Sequence, residues 1–172
     1  MAEIWDGYFA DGTPAGVDIV RGEKIPDGLY HLVSEILVRH QNGDFLLMLR
    51  DPSKPNFGGF YESTCGGSAL KGEDPLTCAK REMCEETGIE ADLSEFEYLT
   101  TSRDGSNFFD HYCLCRDISL DKIKLLPGET DDVMWASFET VHLLIQQGKI
   151  CRIIADQFLQ LEDELIVRQT AQ

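Results

Sequence analysis

Apolar residues recur along the chain in short alternating runs, with three stretches of helical period among them. Ile4–Phe9 and Gly16–Val20 flank Asp11-Gly12, a dipeptide suited to a tight turn, so residues 3–20 read as an N-terminal hairpin. Pro26-Asp27-Gly28 breaks the chain. Tyr30–His40 is a strand rich in Leu, Val and Ile; Gln41-Asn42-Gly43-Asp44 turns it and Phe45–Arg50 returns. Residues 51–66 carry Pro52, Pro55, Gly58, Gly59 and Gly66 and are expected to be mostly loop. A helix comes next, with Asp74 as N-cap, Pro75 in its first turn and Gly88 just past its end. Leu76, Ala79 and Met83 form its apolar side. Phe96–Ser102, Phe108–Arg116 and Val133–Ala136 read as strands, and Phe138–Gln147 and Ile150–Arg168 as helices. Strands and helices mix without regular alternation, which predicts an α+β sandwich with a mixed sheet between helices.

The polar side of the 75–87 helix changes the picture. Glu82, Glu85 and Glu86 stand at i, i+3 and i+4 and share one face. Carboxylates packed that closely repel each other unless a cation sits among them. Hard oxygen donors select magnesium, manganese or calcium. The bland reading is a solvated acidic face.

Composition narrows the partners. With 172 residues and 42% hydrophobic content, one domain with a real core is expected over residues 1–172. A net charge of −16 disfavours nucleic-acid polymers and anionic membranes, but not a small phosphorylated metabolite met through divalent ions. No apolar stretch is long enough for a membrane span. Met1-Ala-Glu-Ile-Trp-Asp lacks a basic region followed by an apolar run, and the six cysteines are scattered, so reduced thiols and a cytoplasmic location are expected. Cys113 and Cys115 alternate on a strand and read as core packing. The N-terminal hairpin and the C-terminal helix are each candidates for a homodimer contact.

Gly67, Glu73, Arg81, Glu82, Met83, Glu85, Glu86, Gly88 and Ile89 fill every fixed place of the pattern G-x5-E-x7-R-E-U-x-E-E-x-G-U, where U is bulky and aliphatic. The segment 67–89 therefore resembles the Nudix box. The resemblance implies an α/β/α sandwich and magnesium- or manganese-assisted hydrolysis of a nucleoside diphosphate linked to another group. Arg50-Asp-Pro-Ser-Lys54, Phe57-Gly-Gly-Phe-Tyr61, Cys65-Gly-Gly and Tyr30-His31-Leu32 are similar to the Nudix branch that contains isopentenyl-diphosphate isomerase. The isomerase pattern itself is not met. Its Cys-Gly-His reads Gly66-Gly67-Ser68 here, its earlier His is Lys24, and its Glu-x-Glu falls near Phe109 and His111. Hydrolysis is thus favoured over isomerisation, and over a non-catalytic ligand sensor, because the box is intact.

Carried over residue by residue, the resemblance implies metal ligands at Glu82, Glu85, Glu86 and the Gly66 carbonyl, with Glu73 assisting through water or through contact with a residue beside the ligands. Arg81 orients these glutamates. Glu82, or Glu129 from a downstream loop with Asp131 and Asp132 behind it, is the candidate general base. Arg50 and Lys54 would meet substrate phosphate. His31 reads as a hydrogen-bonded structural residue. Cys65 reads as a small loop residue, since nothing nearby supplies the base a nucleophilic thiol needs.

Overall fold

The computed structural model describes residues 2–170. The strands are β1 (Ile4–Tyr8), β2 (Pro14–Val20), β3 (His31–Arg39), β4 (Phe45–Arg50), β5 (Tyr61–Glu62), β6 (Cys65–Ser68), β7 (Phe96–Asp104), β8 (Asn107–Cys115) and β9 (Thr130–Ala136). The helices are α1 (Pro75–Thr87), α2 (Phe138–Gln146) and α3 (Arg152–Thr170). β1 and β2 form a separate antiparallel hairpin. The other strands make one mixed sheet of order β5-β4-β3-β8-β7, in which β3 and β8 run parallel, β6 also pairs with β3, and β9 with β4.

Both faces of this sheet are covered, as the run Phe45-Leu46-Leu47-Met48 makes plain. Leu46 and Met48 point with Ile36, Val38, Tyr112 and Leu114 toward Ala79 and Met83 of α1. Phe45 and Leu47 point the other way, into a core with Val141 and Leu144 of α2 and Ala155, Phe158, Leu161 and Leu165 of α3. A strand buried on both faces is continuously apolar. Each such side chain contributes roughly 1.5–3 kcal/mol of burial free energy.

The Asn42-Gly43 turn forms as expected, with Gly43 N–H donating to the His40 carbonyl at 2.9 Å. The hairpin it starts opens at once: β3 and β4 pair only at Arg39 and Phe45. Buried Thr64 is the wedge. The Val38 N–H donates to its hydroxyl at 2.8 Å, and that hydroxyl donates to the Leu46 carbonyl at 2.7 Å, so one side chain satisfies the groups a continued ladder would have joined. β4 turns away to pair with β9 from Phe45–Ala136 to Arg50–Thr130, while β6 takes the free edge of β3. The expected loop 51–66 therefore contains β5 and the start of β6, the first too short and the second too glycine-rich to read as strands in advance. One cysteine expectation also changes: Cys113 is buried in the α2/α3 core, but Cys115 is exposed.

No helix among the described residues is long and apolar enough to cross a membrane.

Candidate active site

Helix α1 is fixed at both ends. The Asp74 carboxylate accepts from the backbone N–H of Leu76 at 3.1 Å and of Thr77 at 3.0 Å. Such a cap is worth about 1 kcal/mol. Gly88, at φ 71°, closes the other end with its N–H on the Cys84 carbonyl. α1 docks on the sheet through Cys78, Ala79, Met83 and Thr87, and Ser34 of β3 donates to the Pro75 carbonyl at 2.7 Å. This docking sets the acidic side of α1 beside the backbone of β6, whose Gly66 and Gly67 pair with Glu35 and Ser34 of β3. The approach is close: a Cβ on Gly67 would overlap Oε1 and Cδ of the Glu82 carboxylate, and even the farther oxygen, Oε2, would lie only 2.6 Å away. Glycine is required here for space, not for an unusual φ.

Arg81 organises the carboxylates. Its Nε and Nη2 donate to the two oxygens of Glu73, each at 2.9 Å. Nη1 donates to Glu82 at 2.7 Å and Glu85 at 3.2 Å, and Nη2 also reaches the Ser68 carbonyl at 3.2 Å. A guanidinium has five N–H donors, so this one is fully engaged. Glu73, only 10% exposed, further accepts the Leu70 N–H at 2.9 Å. Burial works against its charge, but Arg81 and the Leu70 N–H outweigh that and hold its carboxyl below the ordinary range. Glu86 takes the Gly66 N–H at 3.3 Å. Burial, reinforced by Glu82 and Glu62, pushes Glu86 up to about 8. Burial likewise raises Glu82, against the pull of Arg81.

Gly66, Arg81, Glu82, Glu85, Glu86 and Glu129 line one open cleft. Its carboxylates do not converge as they stand: among the described residues no three acidic, thiol or imidazole groups form a ready cation cage. The reason is Arg81, whose guanidinium occupies the position between Glu82 and Glu85. The donors are nonetheless all oxygen and crowded, and Glu86 is pushed up to about 8, a set that fits a hard divalent ion exchanging for the Glu86 proton and for Arg81 contacts. Glu73 does not line the cleft; it holds Arg81 from behind.

Arg50 and Lys54 also lie off the lining of the cleft, and each meets a carboxylate. Arg50 donates to Glu62 of β5 at 2.6 Å and its Nε to the Asn56 carbonyl at 3.4 Å. Lys54 pairs with Glu129, and the Asp51 N–H donates to the Glu129 carbonyl at 2.8 Å, so the 51–59 loop and the 126–129 loop are tied together.

Sequence reasoning did not single out Glu62 or Glu35. Glu62, raised by burial and pulled back down by Arg50, lies close enough to Glu86 to raise it. Glu35, on β3 opposite Gly66, is pushed to about 8 by burial and by Glu62, and its Oε2 lies 3.8 Å from His111 Nδ1. A Glu in the middle of a strand rich in Leu, Val and Ile is the available signal. Cys65 is buried among these acids; burial first, then Glu86, Glu82, Glu62 and Glu35, drive its thiol far above the ordinary range. His31 is structural in its contacts: it stacks on Trp5 with ring centroids 4.2 Å apart and its Nε2 meets Ser68 Oγ at 3.1 Å.

A three-layer α/β/α sandwich with this loop–helix segment along one cleft defines a class, and residues 29–155 match the NUDIX domain: the chain belongs to the Nudix family. It is 30% identical over 147 residues to an uncharacterised Nudix hydrolase of Listeria innocua, spanning 86% of this chain and 87% of that one. The crystal structure of DR0079 from Deinococcus radiodurans superposes with a TM-score of 0.79 at 21% identity, over 92% of this chain and 98% of that one. Isopentenyl-diphosphate Delta-isomerase of Serratia proteamaculans is 33% identical over 73 residues, which is 42% of this chain and 41% of that protein.

Proposed function

We propose that this protein is a divalent-metal-dependent Nudix pyrophosphohydrolase that cleaves a diphosphate linkage in a small nucleoside-diphosphate-type metabolite. The observation that carries the reading is the engagement of Arg81, which fixes Glu73, Glu82 and Glu85 while Glu86 sits on the Gly66 N–H in the same cleft. Glu82, Glu85, Glu86 and the Gly66 carbonyl would hold magnesium or manganese. When bound, the ion neutralises phosphate oxygens and lowers the pKa of a coordinated water.

The chain's own residues then have separable tasks. Arg81 and Glu73 orient the carboxylates. Glu129 is the base candidate, since it lines the cleft at the end of a loop and can trade its Lys54 contact for a water proton. That same exchange frees Lys54 for a phosphate oxygen, while Arg50, steadied by Glu62, supplies a second cation.

Isomerisation is disfavoured by a specific observation. Two thiols adjoin the metal loop, and both are buried: Cys78 donates to the Gly67 carbonyl at 3.4 Å, and Cys65, raised by burial first and then by the surrounding acids, stands one residue before the position the isomerase pattern requires. The test is a panel of nucleotide sugars, dinucleotides, nucleoside di- and triphosphates and isoprenoid diphosphates with magnesium or manganese. Wild type should release phosphate or nucleotide from at least one of them, and Glu86→Gln should lose at least 100-fold, the order expected when a group stabilising the transition-state charge is removed. Equal inactivity of both on the whole panel, with ligand still bound, would favour a sensor.

A further inference from the structure

The N-terminal hairpin lies outside the segment that matches the family, yet it is built into the active-site loop. The Lys71 N–H donates to the Ile4 carbonyl at 2.8 Å, the Gly72 N–H to Asp6 Oδ2 at 2.6 Å, and Lys71 Nζ to Asp18 Oδ2 at 2.7 Å. Tyr8 and Tyr30 exchange backbone hydrogen bonds at 2.8 and 2.9 Å, and Trp5 stacks on His31, which in turn meets Ser68 of β6. These contacts clamp β1 and β2 against the Leu70–Glu73 loop. They carry the side chains of Glu3 and Arg21 to the cleft lined by Glu82, Glu85 and Glu86.

Two arginines line that cleft, and they are in different states. Arg81 has no donor left to give. Arg21 is 63% exposed, and among the described residues its guanidinium is paired with Glu3 alone, through Nη1 at 2.7 Å. Glu3 is itself 42% exposed, and such a surface pair is worth about 0–1 kcal/mol. Exchanging Glu3 for a phosphate therefore costs little and leaves the planar guanidinium free to bind it in bidentate fashion. The other charged side chains lining the cleft are carboxylates, and Lys54 and Arg50, assigned above to the diphosphate, lie off that lining, so Arg21 is the lining group left to receive an anion beyond the diphosphate.

We propose that the β1–β2 hairpin is a wall of the substrate site and that Arg21 binds an anionic group of the substrate beyond the metal-bound diphosphate, such as a third phosphate. Glu3 is the built-in competitor that this group displaces. The proposal rests on the hydrolase reading of the same cleft and adds a selective element to it: substrates with an additional phosphate are preferred over plain diphosphates.

The experiment is calorimetric binding, with magnesium present, of imidodiphosphate and diimidotriphosphate, whose P–N–P links resist hydrolysis. Wild type should bind the triphosphate analogue more tightly. Arg21→Gln should weaken it about tenfold and the diphosphate analogue by less than twofold, as expected for loss of one charge-assisted contact. Arg21→Lys should recover part of the loss. Glu3→Gln should tighten triphosphate binding about twofold to threefold. Thermal melts of all three variants should match wild type, since both side chains are exposed. Equal affinity of wild type for the two analogues, or equal weakening of both in Arg21→Gln, overturns the assignment of Arg21 while leaving metal-dependent hydrolysis intact. If wild type binds neither analogue, the hairpin assignment falls, and the substrate panel decides whether the hydrolase reading falls with it.

Discussion

Replacing Gly67 with alanine separates catalysis from folding. The added methyl would overlap Oε1, Cδ and Oε2 of Glu82, the farthest of them, Oε2, at 2.6 Å where ordinary contact begins near 3.4 Å, so the carboxylate must retreat by more than about 1 Å. The atoms in its way belong to the end of a flexible side chain, and Gly67 is not among the residues at positive φ, so the backbone can accept alanine. The reduced entropy of the unfolded chain returns about 0.4–1 kcal/mol. Against this stands weakening of the Arg81–Glu82 bond, a charge-assisted contact worth about 1.5–3 kcal/mol. The net loss is about 1–2 kcal/mol, roughly 2–8 °C in melting temperature for a chain of this size. Activity should suffer far more, since misplacing a catalytic group by about 1 Å can cost about 100-fold. Gly66→Ala is the contrast. Its methyl would meet the Ser34 carbonyl at 2.8 Å and Glu35 Cα at 3.3 Å, atoms of the β3 backbone that cannot rotate away, so the fold itself should lose more, up to about 3 kcal/mol. Melting by circular dichroism and magnesium-dependent hydrolysis, measured on both variants, check the pair. A Gly67→Ala enzyme with wild-type kcat/KM would refute the assignment of Glu82 to the reaction centre.

The same geometry sets other outcomes. Arg81→Lys keeps the charge but cannot make the two-pronged contact to Glu73, so a nearly buried carboxylate is left with the Leu70 N–H and at most one bond from the lysine; the melting temperature should fall by about 4–12 °C, for a loss of roughly 2–3 kcal/mol. Arg50→Met leaves Glu62 beside Glu86 with only the weaker pull of Lys54 against it and should cost about 2 kcal/mol, whereas Arg50→Met combined with Glu62→Leu should recover part of it in a double-mutant cycle. Stability of the metal-free protein should depend on pH with opposed contributions. Glu86 and Glu35, raised from 4.5 to about 8, favour the folded state while protonated, so their contribution is full below about 4.5 and is lost as pH rises to about 8. His31 and His111, lowered by burial from 6.5 to about 4, act the other way and lose their contribution as pH falls from 6.5 to about 4. Between pH 6.5 and 8 only the carboxyls act, and the melting temperature should decline; a rise across that interval would contradict the buried, proton-holding state of Glu86 and Glu35.

Much of this fold is legible because its punctuation is local. Asp74-Pro75 and Gly88 bound α1 through bonds made within a few residues of each cap, and Asp11-Gly12 and Asn42-Gly43 form their turns where expected. The pairing of strands beyond a turn is decided elsewhere in the chain: β3 and β4 part because Thr64, some 20 residues on, inserts its hydroxyl between Val38 and Leu46. β5 and β6 escape notice for the same reason, since two and four residues pair only because β4 and β3 are waiting. The box residues are legible as a set, and one cleft receives Gly66, Glu82, Glu85 and Glu86. Their states are not. That Arg81 stands between Glu82 and Glu85, that Lys54 is held by Glu129, and that Glu62 backs Arg50 are consequences of three loops meeting. Glu3 and Arg21 reach the cleft only through the docking of a hairpin that sequence patterning predicts as a hairpin and nothing more.

The central claim is that the acidic side of α1, with the Gly66 carbonyl, gathers divalent cations. Calorimetric titration of manganese into the metal-free protein at pH 7 tests it directly. Wild type should give a saturable heat that varies with the ionisation enthalpy of the buffer, because Glu86 releases its proton on binding, and Glu86→Gln should bind at least tenfold more weakly without that buffer dependence. An absence of heat in wild type, or identical isotherms for the two proteins, would contradict it.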